Sequence, residues 1–281
     1  MPPALDAQVA ALLSPVPGGS PRPPGPPVRA VRDLDLPLTG RTLPARLYRD
    51  DLDDCLVVFF HGGGFVSGDL DSHDAQARDL CRTTGRPVLS VAYRLAPDHP
   101  FPAAYDDAVA AVGWARAHLA DRVAVAGPSA GANLALGAAL ALAGTPAAPV
   151  AQLLAYPLVS GDPSYPSRTE VGQGYGLTSE AIEWCLGQYF TDPAQRQDPR
   201  AAPLLSPDLA SAPPAVVVGA GLDPLRDEAR ALADRLRAAG VPVHHVEEPA
   251  LPHGFWKFAP LADAARTAAT RMGEALRALL D

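Results

Sequence analysis

One serine of this chain stands in a pattern that suits a nucleophile. Ser129 is the middle residue of Gly127-Pro128-Ser129-Ala130-Gly131, which follows a short apolar run and precedes a segment of small residues. Small residues two positions away on either side let the backbone turn sharply between a strand and a helix. Such a turn would raise the hydroxyl above the sheet and aim the Ala130 amide at the same place. The alternative for these five residues alone is an ordinary glycine and serine turn.

A run of three glycines could supply further hydrogen-bond donors. The segment His61-Gly62-Gly63-Gly64-Phe65 follows an apolar stretch, and glycines leave backbone amides uncovered by side chains. A developing negative charge could therefore approach the amides closely, as an oxyanion hole requires. We interpret His61 as a structural residue that orients the loop through a hydrogen bond, and not as the general base. The alternative for the loop is a flexible linker.

Two further residues could complete a catalytic group. Asp223 follows one predicted strand and His253 follows the next, so both are expected at the same edge of the sheet as Ser129. Their chain order of Ser, Asp and His is the order of an α/β-hydrolase triad. In that interpretation His253 accepts the serine proton and Asp223 holds the imidazole. Taken singly, the aspartate could be a helix cap and the histidine a surface turn.

Alternating strand and helix patterns predict the elements that must position these residues. Strands are predicted over Val28 to Leu36, Leu43 to Tyr48, Cys55 to Phe60, Pro87 to Tyr93, the run before Ser129, Val150 to Tyr156, Ala215 to Ala220 and Val241 to Val246. Helices are predicted over Ser72 to Thr84 with a Ser72 cap, Ala103 to Leu119, Ala130 to Ala143, Arg226 to Ala239 and Ala259 to Leu280. We therefore expect an α/β fold with a mostly parallel, doubly wound sheet that begins antiparallel.

Two segments interrupt this alternation. Residues 1–27 combine a short amphipathic helix, Pro3 to Leu13, with a proline-rich stretch that cannot form a core. Residues 158–213 carry glycine, proline and tyrosine around one helical stretch, Ser179 to Phe190. An insertion of this length in a βαβ series usually lies over the ligand crevice. We therefore interpret the second segment as a lid or cap, and the proline-rich part of the first as a lid-connecting or linker segment.

Five ordered motifs resemble the hormone-sensitive-lipase-like family of α/β-hydrolase carboxylesterases. They are His-Gly-Gly-Gly-Phe at 61–65, Tyr-Arg-Leu-Ala-Pro at 93–97, Ser-Ala-Gly at 129–131, Asp-Pro-Leu-Arg-Asp-Glu at 223–228 and His-Gly-Phe at 253–255. The chain departs from the family pattern in carrying Pro128 where an acidic residue is usual and Ala132 where a second glycine is usual.

The resemblance implies an α/β-hydrolase domain over residues 28–281, with residues 1–27 as the N-terminal part of the cap and an insertion at about 158–213. It implies a nucleophilic Ser129, an acid Asp223 and a base His253. An oxyanion hole would come from the amides of Gly63, Gly64 and Ala130. No cofactor or metal is implied.

The resemblance favours a serine carboxylesterase that acts on short- to medium-chain acyl esters through an acyl-enzyme. One alternative is an amidase or formamidase on the same triad, since acyl transfer from serine serves both bond types. Another is a non-catalytic ligand receptor of the same fold, which His253 disfavours.

Composition limits the partners of the chain. With 281 residues, 48% of them hydrophobic, it can bury a large core as one domain. A net charge of −8 disfavours a nucleic-acid or anionic-membrane partner, so a small ester substrate is expected. The three cysteines lack metal-type spacing, and no apolar run approaches a membrane span. We expect a cytoplasmic monomer or homodimer without bound metal.

Overall fold

A computed structural model describes residues 3–13, 24–49 and 55–281 of the chain. The strands are β1 Ala30–Leu38, β2 Arg41–Arg49, β3 Cys55–Phe60, β4 Val88–Val91, β5 Arg122–Pro128, β6 Gln152–Ala155, β7 Ala215–Leu222 and β8 Val243–Pro252. The α-helices are α1 Ala7–Leu13, α2 Asp74–Thr84, α3 Ala103–His118, α4 Ala130–Ala141, α5 Ser167–Glu170, α6 Ser179–Tyr189, α7 Arg226–Ala238 and α8 Asp263–Leu280. Short 3₁₀ turns cover Pro193–Gln197, Pro203–Leu205, Leu209–Ser211 and Phe255–Phe258.

All eight strands form one sheet in the order β1-β2-β4-β3-β5-β6-β7-β8. β2 pairs antiparallel with β1 and with β4, and the remaining neighbours are parallel. This α/β-hydrolase architecture confirms the expected fold class, including the antiparallel start. The carboxyl ends of β3, β5, β7 and β8 consequently meet at one edge of the sheet.

The sheet has a hydrophobic core on each face. Side chains of a strand alternate between faces, so in β3 Leu56 and Val58 join one core while Val57 and Phe59 join the other. Helices α3, α4 and α7 contribute to the first core, and α2 and α8 contribute to the second. All residues of β3 and β7 are buried, which is why both read as continuous apolar runs in the sequence.

The strands that precede the candidate acid and base both run further than the sequence pattern predicts. The sequence pattern ends β7 at Ala220 and β8 at Val246. In the structure the two strands pair as far as Leu222 and Pro252, with a register shift between Ala220 and Leu222. Glu247, Glu248 and Pro249, which follow Val246, conceal the strand pattern. The longer strands bring Asp223 and His253 to the positions directly after the strand ends.

The expected Ser72 cap of α2 is wrong. The helix begins at Asp74, and the preceding His73 makes no side-chain capping bond. Ser72 is engaged in a turn instead: the Asp69 amide donates to Ser72 Oγ at 2.8 Å, and that hydroxyl donates to the Asp69 carbonyl at 3.0 Å.

The insertion between β6 and β7 contains α5, α6 and three 3₁₀ turns. Thr178 caps α6 by accepting a hydrogen bond from the Ala181 amide at 3.0 Å. Ile182, Leu186 and Tyr189 are buried on one face of this helix, as its periodicity predicts. Much of the proline-rich N-terminal stretch, residues 14–23, lies outside the described residues.

Candidate active site

Ser129 lies at a sharp turn between β5 and α4. Its φ of 55° and ψ of −121° are strained for a residue with a side chain. The turn is held by the Ser129 amide, which donates to the Ala155 carbonyl at 2.8 Å. Gly131 must lack a side chain, because a Cβ there would collide with the carbonyl of Phe60. The backbone thus presents the serine hydroxyl at the carboxyl edge of the sheet.

The structure brings Ser129, His253 and Asp223 together. His253 Nε2 lies 3.0 Å from Ser129 Oγ, and His253 Nδ1 lies 2.7 Å from Asp223 Oδ2. The second carboxylate oxygen of Asp223 accepts a hydrogen bond from the Leu225 amide at 2.8 Å. Tyr156 packs edge-on against the imidazole, with ring centroids 4.9 Å apart. This arrangement sets the His253 tautomer with Nδ1 protonated, which leaves Nε2 free to accept the serine proton.

The glycine loop runs beside this group. Gly63 and Gly64 have φ values of 121° and 62°, which only glycine adopts readily. A Cβ on Gly64 would lie 2.6 Å from Sγ of Cys185 in α6. Among the described residues, no acceptor takes a hydrogen bond from the amides of Gly63, Gly64 or Ala130. These amides are therefore available to a ligand, and Ala130 is also the first residue of α4, where the helix dipole favours negative charge.

A cavity of about 330 Å³ opens above Ser129 and His253. The glycine loop forms one wall, and apolar side chains form much of the rest. Its further lining includes Tyr156, Leu158, Leu177, Ile182, Cys185, Leu225 and Lys257. Small ester ligands fit a predominantly apolar site of this size that carries a few converging polar groups.

The described parts of the chain contain no group of three or more histidine, cysteine, aspartate or glutamate side chains arranged to hold a metal ion. Over the same residues, no helix is both long enough and apolar enough to cross a bilayer.

Known proteins resemble this chain over most of its length. A family model for the alpha/beta hydrolase fold matches residues 57–257. The carboxylic ester hydrolase LipN of Mycobacterium tuberculosis is 42% identical over 274 residues, which cover 92% of this chain and 73% of the relative. The ethyl acetate hydrolase of Pseudomonas putida is 40% identical over 259 residues, which cover 86% of this chain and 81% of the relative.

Solved structures lead to the same family. The thermophilic carboxylesterase EstE1, cloned from a metagenomic library, is 36% identical with a TM-score of 0.86, over 91% of this chain and 90% of that chain. This chain belongs to the hormone-sensitive-lipase-like family of α/β-hydrolases. It is a carboxylic ester hydrolase.

His73 is a site residue of this esterase that the sequence did not reveal. Its Nε2 accepts a hydrogen bond from the Gly62 amide at 3.1 Å, so the ring proton sits on Nδ1 and is donated to Ser72 Oγ at 3.0 Å. The Ser72 turn therefore fixes the ring, and the ring fixes the start of the glycine loop. The only available signal was a serine and a histidine, eight and nine residues beyond the last glycine of the run.

His61 holds the same loop from the buried side. Its Nδ1 donates to the Gly62 carbonyl at 2.8 Å, and its ring stacks on Tyr93 with centroids 4.2 Å apart. Burial lowers the pKa of His61 to about 4, so the ring is neutral near pH 7. The predicted hydrogen bond that orients the loop is present.

Glu228 ties the insertion to the core. A carboxylate in the first turn of a helix ordinarily serves as a partner of the helix dipole. Oε2 of this buried carboxylate instead accepts hydrogen bonds from the amides of Val159, Ser160 and Gly161 at 2.9, 2.9 and 3.3 Å. Burial raises the pKa of Glu228, and the three donors oppose that rise. The carboxylate thereby anchors residues 159–161, at the start of the insertion between β6 and β7.

We expect Glu228→Ala to lower the free energy of unfolding by about 3 kcal/mol, because it leaves three amides without an acceptor in the interior. Urea unfolding followed by circular dichroism measures the change. Glu274→Ala, on the exposed face of α8, is the matched control and should stay within about 0.5 kcal/mol of the unaltered protein. Equal stability of the Glu228 and Glu274 variants would contradict the anchoring role.

Proposed function

We propose that this enzyme is a serine carboxylesterase in which Ser129 is the nucleophile, His253 the general base and Asp223 the residue that orients it. The observation that carries the proposal is the pair of hydrogen bonds at 3.0 and 2.7 Å that joins the three side chains. The same pair disfavours a non-catalytic receptor, which has no need of an aligned imidazole.

The reaction follows from these positions. Ser129 Oγ attacks the ester carbonyl carbon while His253 Nε2 takes the hydroxyl proton. The amides of Gly63, Gly64 and Ala130 donate hydrogen bonds to the carbonyl oxygen as it gains negative charge. The bond to the alcohol oxygen then breaks, and His253 returns the proton to that oxygen. Water attacks the acyl-serine by the same route and releases the acid.

The amidase alternative differs in the leaving group, since an amine needs protonation before it can depart. Matched p-nitrophenyl acetate and p-nitroacetanilide distinguish the two, because both release a chromophore from the same acyl group. We expect turnover of the ester and, at equal enzyme concentration, negligible turnover of the anilide. Comparable kcat/KM values for both would favour the amidase.

We further propose that residues 1–27 and about 158–213 form a cap over the domain of residues 28–281. Leu177, Ile182 and Cys185 from the insertion line the cavity. Leu13 of α1 reaches the insertion as well, since its Cδ2 lies 3.2 Å from the position that a Cβ on Gly176 would take. A cytoplasmic location and a monomeric or homodimeric state remain predictions.

We expect short acyl esters, about C2 to C8, to be the preferred substrates, because a cavity of about 330 Å³ accommodates little more than a short chain beside the alcohol. The name of the ethyl acetate hydrolase relative supports this preference. The measurement is kcat/KM across a p-nitrophenyl acyl series, with emulsified triglyceride as a second substrate. A maximum at C12 or beyond, or a rate jump above the solubility limit, would contradict it.

A further inference from the structure

The active-site cavity carries one side chain with a permanent charge. Lys257 is the only lysine of the chain. The other described residues that line the cavity include two histidines, a glutamine and no arginine, aspartate or glutamate. The remaining lining is neutral, so an anionic group in the cavity would meet this ammonium without a competing carboxylate on the wall.

Within the described part of the chain, Lys257 has no carboxylate partner. The contact that its ammonium makes is with the ring of Phe258, whose centroid lies 4.8 Å from Nζ. The residue is exposed at the cavity mouth, while partial burial lowers the pKa of its amine. A lysine amine ordinarily carries a proton at neutral pH. The Lys257 ammonium is therefore available to pair with an anionic ligand.

The position of Lys257 indicates which part of an ester it meets. The 3₁₀ turn that carries it starts right after Gly254, and the Lys257 amide donates to the Gly254 carbonyl at 3.1 Å. A Cβ on Gly254 would lie 4.0 Å from Lys257 Nζ, so the amine folds back over the residue next to His253. Because His253 gives its proton to the departing alcohol oxygen, the alcohol part of the ester occupies this side.

We propose that Lys257 selects esters whose alcohol part carries a carboxylate, that is, O-acyl derivatives of hydroxy acids. This inference rests on the proposed role of His253. The ammonium would form an ion pair with the substrate carboxylate at the cavity mouth, and the released product would be a hydroxy acid together with a short fatty acid.

The test compares 4-acetoxybenzoate with its neutral methyl ester, methyl 4-acetoxybenzoate. For each enzyme, kcat/KM for the anion is divided by kcat/KM for the methyl ester. The quotient for the unaltered enzyme is then compared with the quotient for Lys257→Met, which cancels the difference in leaving-group reactivity. We expect the preference for the anion to fall about three- to fivefold, the size of a solvent-accessible ion pair. Lys257→Arg should retain most of it, and about 0.5 M NaCl should weaken it in the unaltered enzyme.

Two controls distinguish the proposed ion pair from an effect of net charge and from an interaction with the acyl part of the ester. Arg237→Met removes one positive charge from the exposed end of α7, so it reports any effect of net charge alone. Mono-p-nitrophenyl succinate carries its carboxylate on the acyl side, where we expect Lys257→Met to have less effect than with 4-acetoxybenzoate. The proposal would be overturned if the ratio of kcat/KM for 4-acetoxybenzoate to that for its methyl ester changed less than twofold in Lys257→Met. It would also be overturned if Lys257→Met affected kcat/KM for the succinate more than for 4-acetoxybenzoate. Either result leaves the Ser129 mechanism intact, because that mechanism is tested by p-nitrophenyl acetate and covalent labelling.

Discussion

Replacement of Ser129 with alanine is expected to lower kcat on p-nitrophenyl acetate by at least about 10³ and to abolish labelling by a fluorophosphonate probe. The probe forms a covalent bond with an activated serine, and Ser129 Oγ lies 3.0 Å from His253 Nε2. Labelling is read by mass spectrometry of the intact protein. Equal labelling of the unaltered protein and the variant would contradict the assignment of Ser129 as the nucleophile.

His253→Ala and Asp223→Asn are each expected to lower kcat by about 10³ or more. Alanine removes the acceptor of the serine proton. Asparagine preserves the shape of a side chain that is 1% exposed but removes the negative charge beside His253 Nδ1. KM should change far less than kcat, since neither side chain is expected to contribute most of the binding energy of a small apolar ester.

Asp227→Asn is the matched control for Asp223→Asn, because it makes the same change four residues further along the chain, in the first turn of α7. Asp227 accepts a hydrogen bond from the Ser167 amide at 2.8 Å and pairs with Arg226 at 2.9 Å, so it joins the insertion to the helix. We expect its replacement to lower the unfolding temperature while kcat stays within a few-fold. If the Asp227 variant were inactive and the Asp223 variant nearly normal, the triad would have to be redrawn.

Gly64→Ala is expected to lower kcat about 10²-fold, the effect of losing one oxyanion donor. The φ of 62° at this position disfavours alanine, and its new Cβ would lie 2.6 Å from Cys185 Sγ and 2.9 Å from Cys185 Cβ. The loop must therefore shift, and its amide with it. Stopped-flow measurement of the acylation rate should show the loss directly, since the oxyanion forms in that step.

A second substitution separates the steric cause from a general effect on folding. Cys185→Ala removes Sγ, so Gly64→Ala combined with Cys185→Ala should recover part of the lost rate. Gly113→Ala provides the control, because a Cβ on Gly113 of α3 meets nothing within 4 Å and should leave activity unchanged. A double variant as slow as Gly64→Ala alone would mean that the backbone conformation or the remaining contact with Cys185 Cβ, and not the contact with Cys185 Sγ, causes the loss.

The sequence alone was enough to predict the features that depend on local spacing. The turn at Ser129 needs small residues at fixed positions, and the glycine loop needs consecutive residues without side chains, so both appear as short motifs. The fold class followed from strand and helix alternation, because buried parallel strands read as unbroken apolar runs. The candidate acid and base were found in the same way, as polar residues just beyond apolar runs.

Tertiary structure decided the contacts between residues far apart in the chain. Glu228 meets the amides of residues 159–161 across a separation of more than 65 positions, and nothing in the local sequence of α7 distinguishes it from a helix-start carboxylate. His73 could not be assigned to the Gly62 amide without knowing how the Ser72 turn closes. The sequence alone does not distinguish Lys257 from an ordinary surface lysine, whereas the structure shows that the 3₁₀ turn places its amine over Gly254. Hydrogen bonds and charges of this kind depend on distances in space, which sequence spacing does not encode once a loop or a crossover connection intervenes.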